Sequence, residues 1–314
     1  MRILFAGTPL NAAQTLDALI TAGLDIVGVL TREDAPVGRK RILTQSAVAD
    51  VAEKHGIRTL KHNQVGQQAV DEIETVSPDI GIVVAYGSLL DSSALAALPQ
   101  GWINLHYSLL PKLRGAAPVQ HAILQGLSVT GITIFQLDEG MDTGDILLQV
   151  PTEIHPAENS ANLLARLTQL GIGALLELAP QLAAGFESRK KQDSKQASFA
   201  PKLNRAKARI NWLDSANRIE NLANAMNPEP MSWTTHLDEP VRILRGRQFA
   251  PSISSSFDQS LPAGQCFMHE GHVLAKCGQN THLELLEVQP SGKQPMAAAA
   301  WFRGKQSKGQ VIFE

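Results

Sequence analysis

Asn104-Leu105-His106 closes an apolar stretch that begins at Trp102. Side chains on a strand alternate faces, so Asn104 and His106 share one face and Leu105 takes the other. An amide N–H can donate to an oxyanion as it develops, and an imidazole can work as acid or base near neutral pH. Side by side at a strand's carboxyl end, the two suit a reaction at a carbonyl carbon. Ser108-Leu109-Leu110-Pro111 follows at once, then Arg114-Gly115-Ala116-Ala117-Pro118. Two apolar residues before a proline make a stiff loop able to lie against a planar ring. Further on, Asp138-Glu139-Gly140-Met141-Asp142-Thr143-Gly144-Asp145 gathers acids and glycines in a short polar turn. One of those acids could reach His106.

The elements that must position these residues alternate between strand and helix. Arg2–Ala6, Ile26–Leu30, Ile80–Ala85 and Trp102–His106 read as strands, with Val129–Leu137 and Ile146–Val150 as a following pair. Helical spacing covers Pro9–Ala22, Ser46–His55, Val70–Val76 and the long run Ser160–Ala184. The continuous apolar run Ile80–Ala85 suits a strand buried on both faces. Such alternation predicts an α/β domain with a doubly wound, mostly parallel, Rossmann-like sheet. Sheets of that kind bind ligands beyond the carboxyl ends of their strands, here the segments after Ala6, Ala85 and His106.

At 314 residues the chain exceeds what one core usually serves, so two domains are expected. Residues 190–207 read as a basic linker, carrying Lys190, Lys191, Lys195, Lys202, Arg205 and Lys207 against the single acid Asp193. Before it, residues 1–189 form the α/β domain; after it, residues 208–314 show short strand-like stretches such as Val241–Leu244 and His282–Val288, which predict a smaller β-rich, OB-like barrel. Net charge is −2, but residues 1–189 carry −7 and residues 190–314 carry +5. That asymmetry points to a polyanionic partner for the C-terminal part.

Other classes find no support. Gly7 stands alone where a dinucleotide fingerprint needs three glycines, so no NAD is expected, and no P-loop is present. Cys266 and Cys277 lack metal-site spacing, and His269 and His272 flank a turn, so no metal is expected. No apolar run of membrane-spanning length and no signal peptide is read in the sequence, which predicts a cytoplasmic protein without membrane attachment. Nothing in the pattern calls for an oligomer, so a monomer is expected.

Asn104-x-His106-x-Ser108-Leu109-Leu110-Pro111 with the later Asp142-x-Gly144 turn resembles the folate-dependent formyltransferases. The resemblance to the branch acting on methionyl-tRNA covers nearly the whole chain. It includes Phe5–Pro9, Val83–Gly87, Arg114–Pro118, and Asn227-Pro228 followed by Trp233. It implies transfer of a formyl group from 10-formyltetrahydrofolate to the amine of methionyl initiator tRNA, without a metal. Asn104, His106 and Asp142 are the implied catalytic residues. Ala85, Tyr86, Gly87 and Ser108–Pro111 (Ser108, Leu109, Leu110, Pro111) are the implied folate site. The long loop Thr31–Thr44, with Arg39, Lys40 and Arg41, is implied to touch the acceptor stem, and Lys190, Lys191, Lys202, Arg205 and Lys207 are expected to add RNA contacts. The expected mechanism has Asn104 and a protonated His106 stabilise the oxyanion, with Asp142 favouring the imidazolium. Asn11 stands where the family commonly has a Phe near the amino-acid side chain, and Tyr107 is bulkier than the residue often found there. By alternation Tyr107 points away from the catalytic face. A small amine, such as an amino sugar or purine precursor, is the competing substrate class; a non-catalytic tRNA-binding protein on the same scaffold is the competing function.

Overall fold

Ile80–Val84 is buried along its whole length, as a strand covered on both faces must be. Its Gly81 leaves the space that the Trp102 ring fills, since a Cβ there would overlap the indole. Trp102 is itself fully buried and donates its indole N–H to the Ala94 carbonyl at 2.8 Å. Truncating it to alanine would cost about 3–5 kcal/mol. These contacts lie at the centre of a sheet seen in the computed structural model, which describes residues 1–38, 40–184, 189–250, 257–307 and 309–314.

In chain order the elements begin β1 (Ile3–Gly7), α1 (Leu10–Thr21), β2 (Ile26–Thr31), β3 (Ala35–Val37), β4 (Ile42–Thr44), α2 (Ala47–Lys54), β5 (Thr59–Lys61) and α3 (Gln67–Glu74). They continue with β6 (Ile80–Val84), α4 (Ser92–Ala96), β7 (Trp102–His106), α5 (Pro118–Leu124), β8 (Val129–Gln136), β9 (Ile146–Glu153) and α6 (Ser160–Ala184). The rest are α7 (Ala216–Met226), β10 (Trp233–His236), β11 (Glu239–Gln248), β12 (Gln265–His269), β13 (His272–Lys276), β14 (His282–Pro290), β15 (Met296–Ala297), α8 (Ala298–Gln306) and β16 (Val311–Ile312).

Contacts divide the chain into two compact units. The first comprises Met1–Pro118, Val129–Glu153 and Leu164–Ala200; the second comprises Val119–Ser128, Ile154–Leu163 and Pro201–Glu314. In the first, one sheet runs in the order β5-β2-β1-β6-β7-β8-β9. From β5 to β7 every pairing is parallel, and β8 and β9 add antiparallel strands. The chain moves outward from β1 through β2 to β5, then returns to the other side of β1 as β6. The order reverses there, and a crevice opens at the carboxyl ends of β1 and β6.

The second unit holds an antiparallel sheet in the order β10-β11-β14-β13-β12-β16. Its ends meet: Thr235 in β10 and Glu314, just past β16, exchange main-chain hydrogen bonds, so the sheet nearly closes into a barrel. Trp212, Trp301 and Phe313 stack in its core, with ring centroids 5.1 and 5.3 Å apart. Cys266 and Cys277 are buried there too, and burial pushes the Cys277 thiol up to about 12, so both act as small apolar residues.

α6 is the long helix that the sequence leads one to expect over Ser160–Ala184. At 25 residues it is long and apolar enough to cross a bilayer. Its Leu167, Leu175, Leu178 and Leu182 are instead buried, as in the core helix of a globular protein.

Candidate active site

The register between β6 and β7 pairs Val83 with Asn104, so the carboxyl end of β6 lies beside the end of β7 that carries His106. Asn104 is half-buried, and its side-chain amide has no hydrogen-bond partner among the described residues. That is unusual beside so many engaged polar groups, and it leaves two N–H donors free for a ligand. His106 is buried. Its Nε2 donates to the Leu113 carbonyl at 3.0 Å, so in the neutral ring the proton is on Nε2 and the lone pair on Nδ1. That Nδ1 lies 3.8 Å from Asp142 Oδ2. The edge of the Phe135 ring closes another side, with centroids 6.3 Å apart.

Burial lowers the His106 pKa from its ordinary 6.5; the Asp142 carboxylate and the bond to Leu113 pull the other way. The burial effect is the larger, so it favours the neutral imidazole, where the sequence leads one to expect a protonated His106. Two acceptors, Nδ1 and Oδ2, therefore face each other across a gap that a donor N–H would complete. Asp142 sits in the left-handed region at φ 53°, and its Oδ2 also accepts the Gly115 N–H at 2.7 Å. Gly115 has φ 113°, and a Cβ there would press on the Ala200 carbonyl, so only glycine presents its N–H in this way.

Ser108–Pro111 is held from behind. Thr133 Oγ1 donates to the Ser108 carbonyl at 2.6 Å and accepts the Leu110 N–H at 3.1 Å. Gln149 donates to the Leu110 carbonyl at 2.8 Å. Ser108 and Leu110 are buried, while Leu109 and Pro111 remain partly open. Ala85 and Gly87 are exposed with φ 48° and 84°. Tyr86 between them is buried and donates its hydroxyl to the His62 carbonyl, so only its backbone can meet a ligand. A cleft of about 660 Å³ lies between Thr8, Ala85–Gly87 and the β3–β4 hairpin. Ser108–Pro111, Asn104 and His106 do not line it.

Lys40 and Arg41 are exposed at the tip of that hairpin, and Arg39 lies outside the described residues. Lys190 and Lys191 are exposed in the first unit; Lys202, Arg205 and Lys207 are exposed in the second. The basic segment of the sequence is thus divided between the two. Arg205 also stacks on Trp233, its guanidinium carbon 5.1 Å from the ring centroid, and Arg209 does so at 5.4 Å.

Asn11 and Tyr107, both departures from the resemblance, turn out to be partners. The Asn11 amide donates to the Tyr107 hydroxyl at 2.9 Å, and Thr168 Oγ1 lies 3.5 Å from the same oxygen. Tyr107 is buried, so the pair ties the loop after β7 to α1 and α6. Tyr107→Phe removes the hydroxyl and leaves the Asn11 amide to find water. A loss of about 0.5–1.5 kcal/mol is expected in urea unfolding. Turnover should stay within a few-fold of wild type, because the ring remains in place.

Gln192 is the polar residue that sequence reasoning passes over. It bonds Arg114 and the turn of Asp142, yet in sequence it is one glutamine in a basic run. Among the described residues no group of three or more His, Cys, Asp and Glu is placed to hold a metal ion.

A family described as "Formyl transferase" matches residues 1–178, and "Formyl transferase, C-terminal domain" matches residues 202–306. The methionyl-tRNA formyltransferase of Arthrobacter sp. (strain FB24) is 41% identical over 314 residues, covering 100% of both chains. The chain belongs to the methionyl-tRNA formyltransferase family. Another member, from Salinispora tropica, is 39% identical over 99% of this chain and 100% of its own. Among solved structures, an N-formyltransferase from Helicobacter canadensis in complex with folinic acid and dTDP-3-aminofucose superposes with a TM-score of 0.67. The match has 16% identity and covers 92% of this chain and 98% of that one. HypX from Aquifex aeolicus in complex with tetrahydrofolic acid gives 0.64 at 14% identity, over 98% of this chain and 48% of that one. At such identities these two speak for the shared fold.

Proposed function

We propose that this chain transfers a formyl group from 10-formyltetrahydrofolate to the α-amine of methionyl initiator tRNA, as a monomer in the cytoplasm. The observation that carries the chemistry is the Asn104 amide, without a partner among the described residues, beside His106, whose Nδ1 lies 3.8 Å from Asp142 Oδ2. The donor supplies an activated formyl carbon. Asn104 donates to the formyl oxygen as negative charge gathers there, an interaction worth about 3–4 kcal/mol of barrier. His106 Nδ1 takes a proton from the attacking amine as the new C–N bond forms, and Asp142 stabilises the imidazolium that results; the imidazolium returns that proton to the folate nitrogen as its bond to the formyl carbon breaks, releasing tetrahydrofolate. An α-amine titrates near roughly 8, so a fraction of it is already neutral at pH 7.

The exposed backbone of Ala85 and Gly87 and the open faces of Leu109 and Pro111 fit a flat ring with amide-like edges. The cleft beside the β3–β4 hairpin has room for a terminal aminoacyl group. Lys40 and Arg41 at the hairpin tip, with Lys190, Lys191, Lys202, Arg205 and Lys207, neutralise phosphates. Lys40→Ala with Arg41→Ala should raise KM for the tRNA and flatten its dependence on salt, with kcat nearly unchanged.

The direct test supplies 10-formyltetrahydrofolate with methionyl initiator tRNA, free methionine, or an amino sugar. Formylation of the charged tRNA alone is expected. Formylation of only the amino sugar would overturn the choice of acceptor and keep the chemistry.

A further inference from the structure

Gln192 uses every hydrogen-bonding capacity its amide has. The nitrogen donates to the Asp142 carbonyl at 2.9 Å and to the Gly144 carbonyl at 2.8 Å. The oxygen accepts from Arg114 Nε at 3.1 Å and from Nη2 at 2.7 Å. Arg114 is buried, and a glutamate at position 192 would answer its charge better than an amide does. Only an amide can accept from the guanidinium and donate to both carbonyls at once. The two donated bonds therefore explain the residue type.

Those bonds hold a conformation that does not hold itself. Asp142 has φ 53°, a left-handed conformation that is uncommon outside glycine and that Asp adopts more readily than most when its surroundings bond it there. The turn is fixed at two points: the Gly115 N–H holds the carboxylate, and Gln192 holds the carbonyl. Gln192 is itself anchored. Lys190, two residues before it, exchanges main-chain bonds with Ile146, while Ser198 and Ala200 bond to Arg114. The Leu113 N–H also donates to Ser198 Oγ at 3.0 Å. The segment thus straps together the loop that follows His106 and the turn that carries Asp142.

We propose that Gln192 is a positioning residue for formyl transfer, holding Asp142 in the left-handed turn that aims its carboxylate at His106. This rests on the reading of Asp142 as part of the reaction. Without the two donated bonds the peptide after Asp142 can rotate, φ can relax to negative values, and the carboxylate leaves its place beside Nδ1.

The test is a double-mutant cycle on the full-length protein, with kcat and KM measured for formylation of methionyl initiator tRNA. Gln192→Glu keeps an acceptor for Arg114 and so keeps the fold, which thermal unfolding verifies. It loses both donors and sets a carboxylate oxygen against the two carbonyls. The expected result is a kcat lower by about 10- to 100-fold, with KM for tRNA within about twofold. In an Asp142→Asn background the same change should cost less than about threefold, because the group it positions has already lost its charge. A Gln192→Glu variant with wild-type kcat overturns the proposal. So does a full, additive loss in the Asp142→Asn background, which would mark a general structural role. Wild-type kcat in Asp142→Asn alone overturns both this proposal and the reading it rests on, so the two failures are told apart.

Discussion

His106→Ala should lower kcat for formylation by about 10²- to 10⁴-fold, the range a positioned acid or base contributes. KM for the charged tRNA should move by less than a few-fold, since His106 is buried. Asn104→Ala should cost about 10²- to 10³-fold by removing an amide donor aimed at the oxyanion. The two residues act on the same transition state from the same face of one strand, so the double variant should lose far less than the product of the single losses. His106→Ala also opens a small buried space beside Phe135. Urea unfolding distinguishes a folded, inactive protein from a misfolded one. Retention of near wild-type turnover by either single variant would remove that residue from the mechanism.

Much of this site is legible in the sequence because it is local. Asn104 and His106 lie on one strand, and a period of two is enough to set them side by side. The apolar run ending at Ala85 marks its strand equally well, and the structure ends the strand one residue earlier, where Ala85 turns to φ 48°. What the sequence hides is long-range and polar. Gln192 reaches Asp142 across 50 positions, and Thr133 reaches Ser108 across 25. No periodicity links such pairs, because their side chains meet only after the sheet and its loops have formed. The short strands β3, β4 and β5, of three residues each, fall below the length at which alternation can be read. The barrel is foreshadowed by its turn residues, but its closure through Thr235 and Glu314 depends on pairing between distant segments. The protonation of His106 is hidden for a related reason. Asp142 nearby suggests an imidazolium, but the burial that outweighs it comes from the packed structure around the ring.

Asp142→Asn should lower the kcat plateau by about 10²- to 10⁴-fold and move the acid limb of its pH profile to lower pH. The sign follows from what lowers and what raises the His106 pKa. A base works only when neutral, so activity falls as pH drops through that pKa. Burial already holds it below the ordinary 6.5, and Asp142 opposes the burial. Removing the carboxylate's charge removes the opposition, so the pKa falls further and the limb follows it. The plateau falls for a separate reason: the imidazolium formed in the transition state loses its counter-charge. Had His106 worked as a protonated donor to the oxyanion, activity would instead decline as pH rises through the same pKa. The substrate's own amine also titrates, near roughly 8, and contributes a limb to kcat/KM. That contribution belongs to the free tRNA and is the same for both proteins. A difference between wild type and Asp142→Asn in kcat, at saturating tRNA, therefore reports the imidazole. A limb that stays in place while the plateau falls would mean that the titrating group is not His106, and that Asp142 acts on the amine directly.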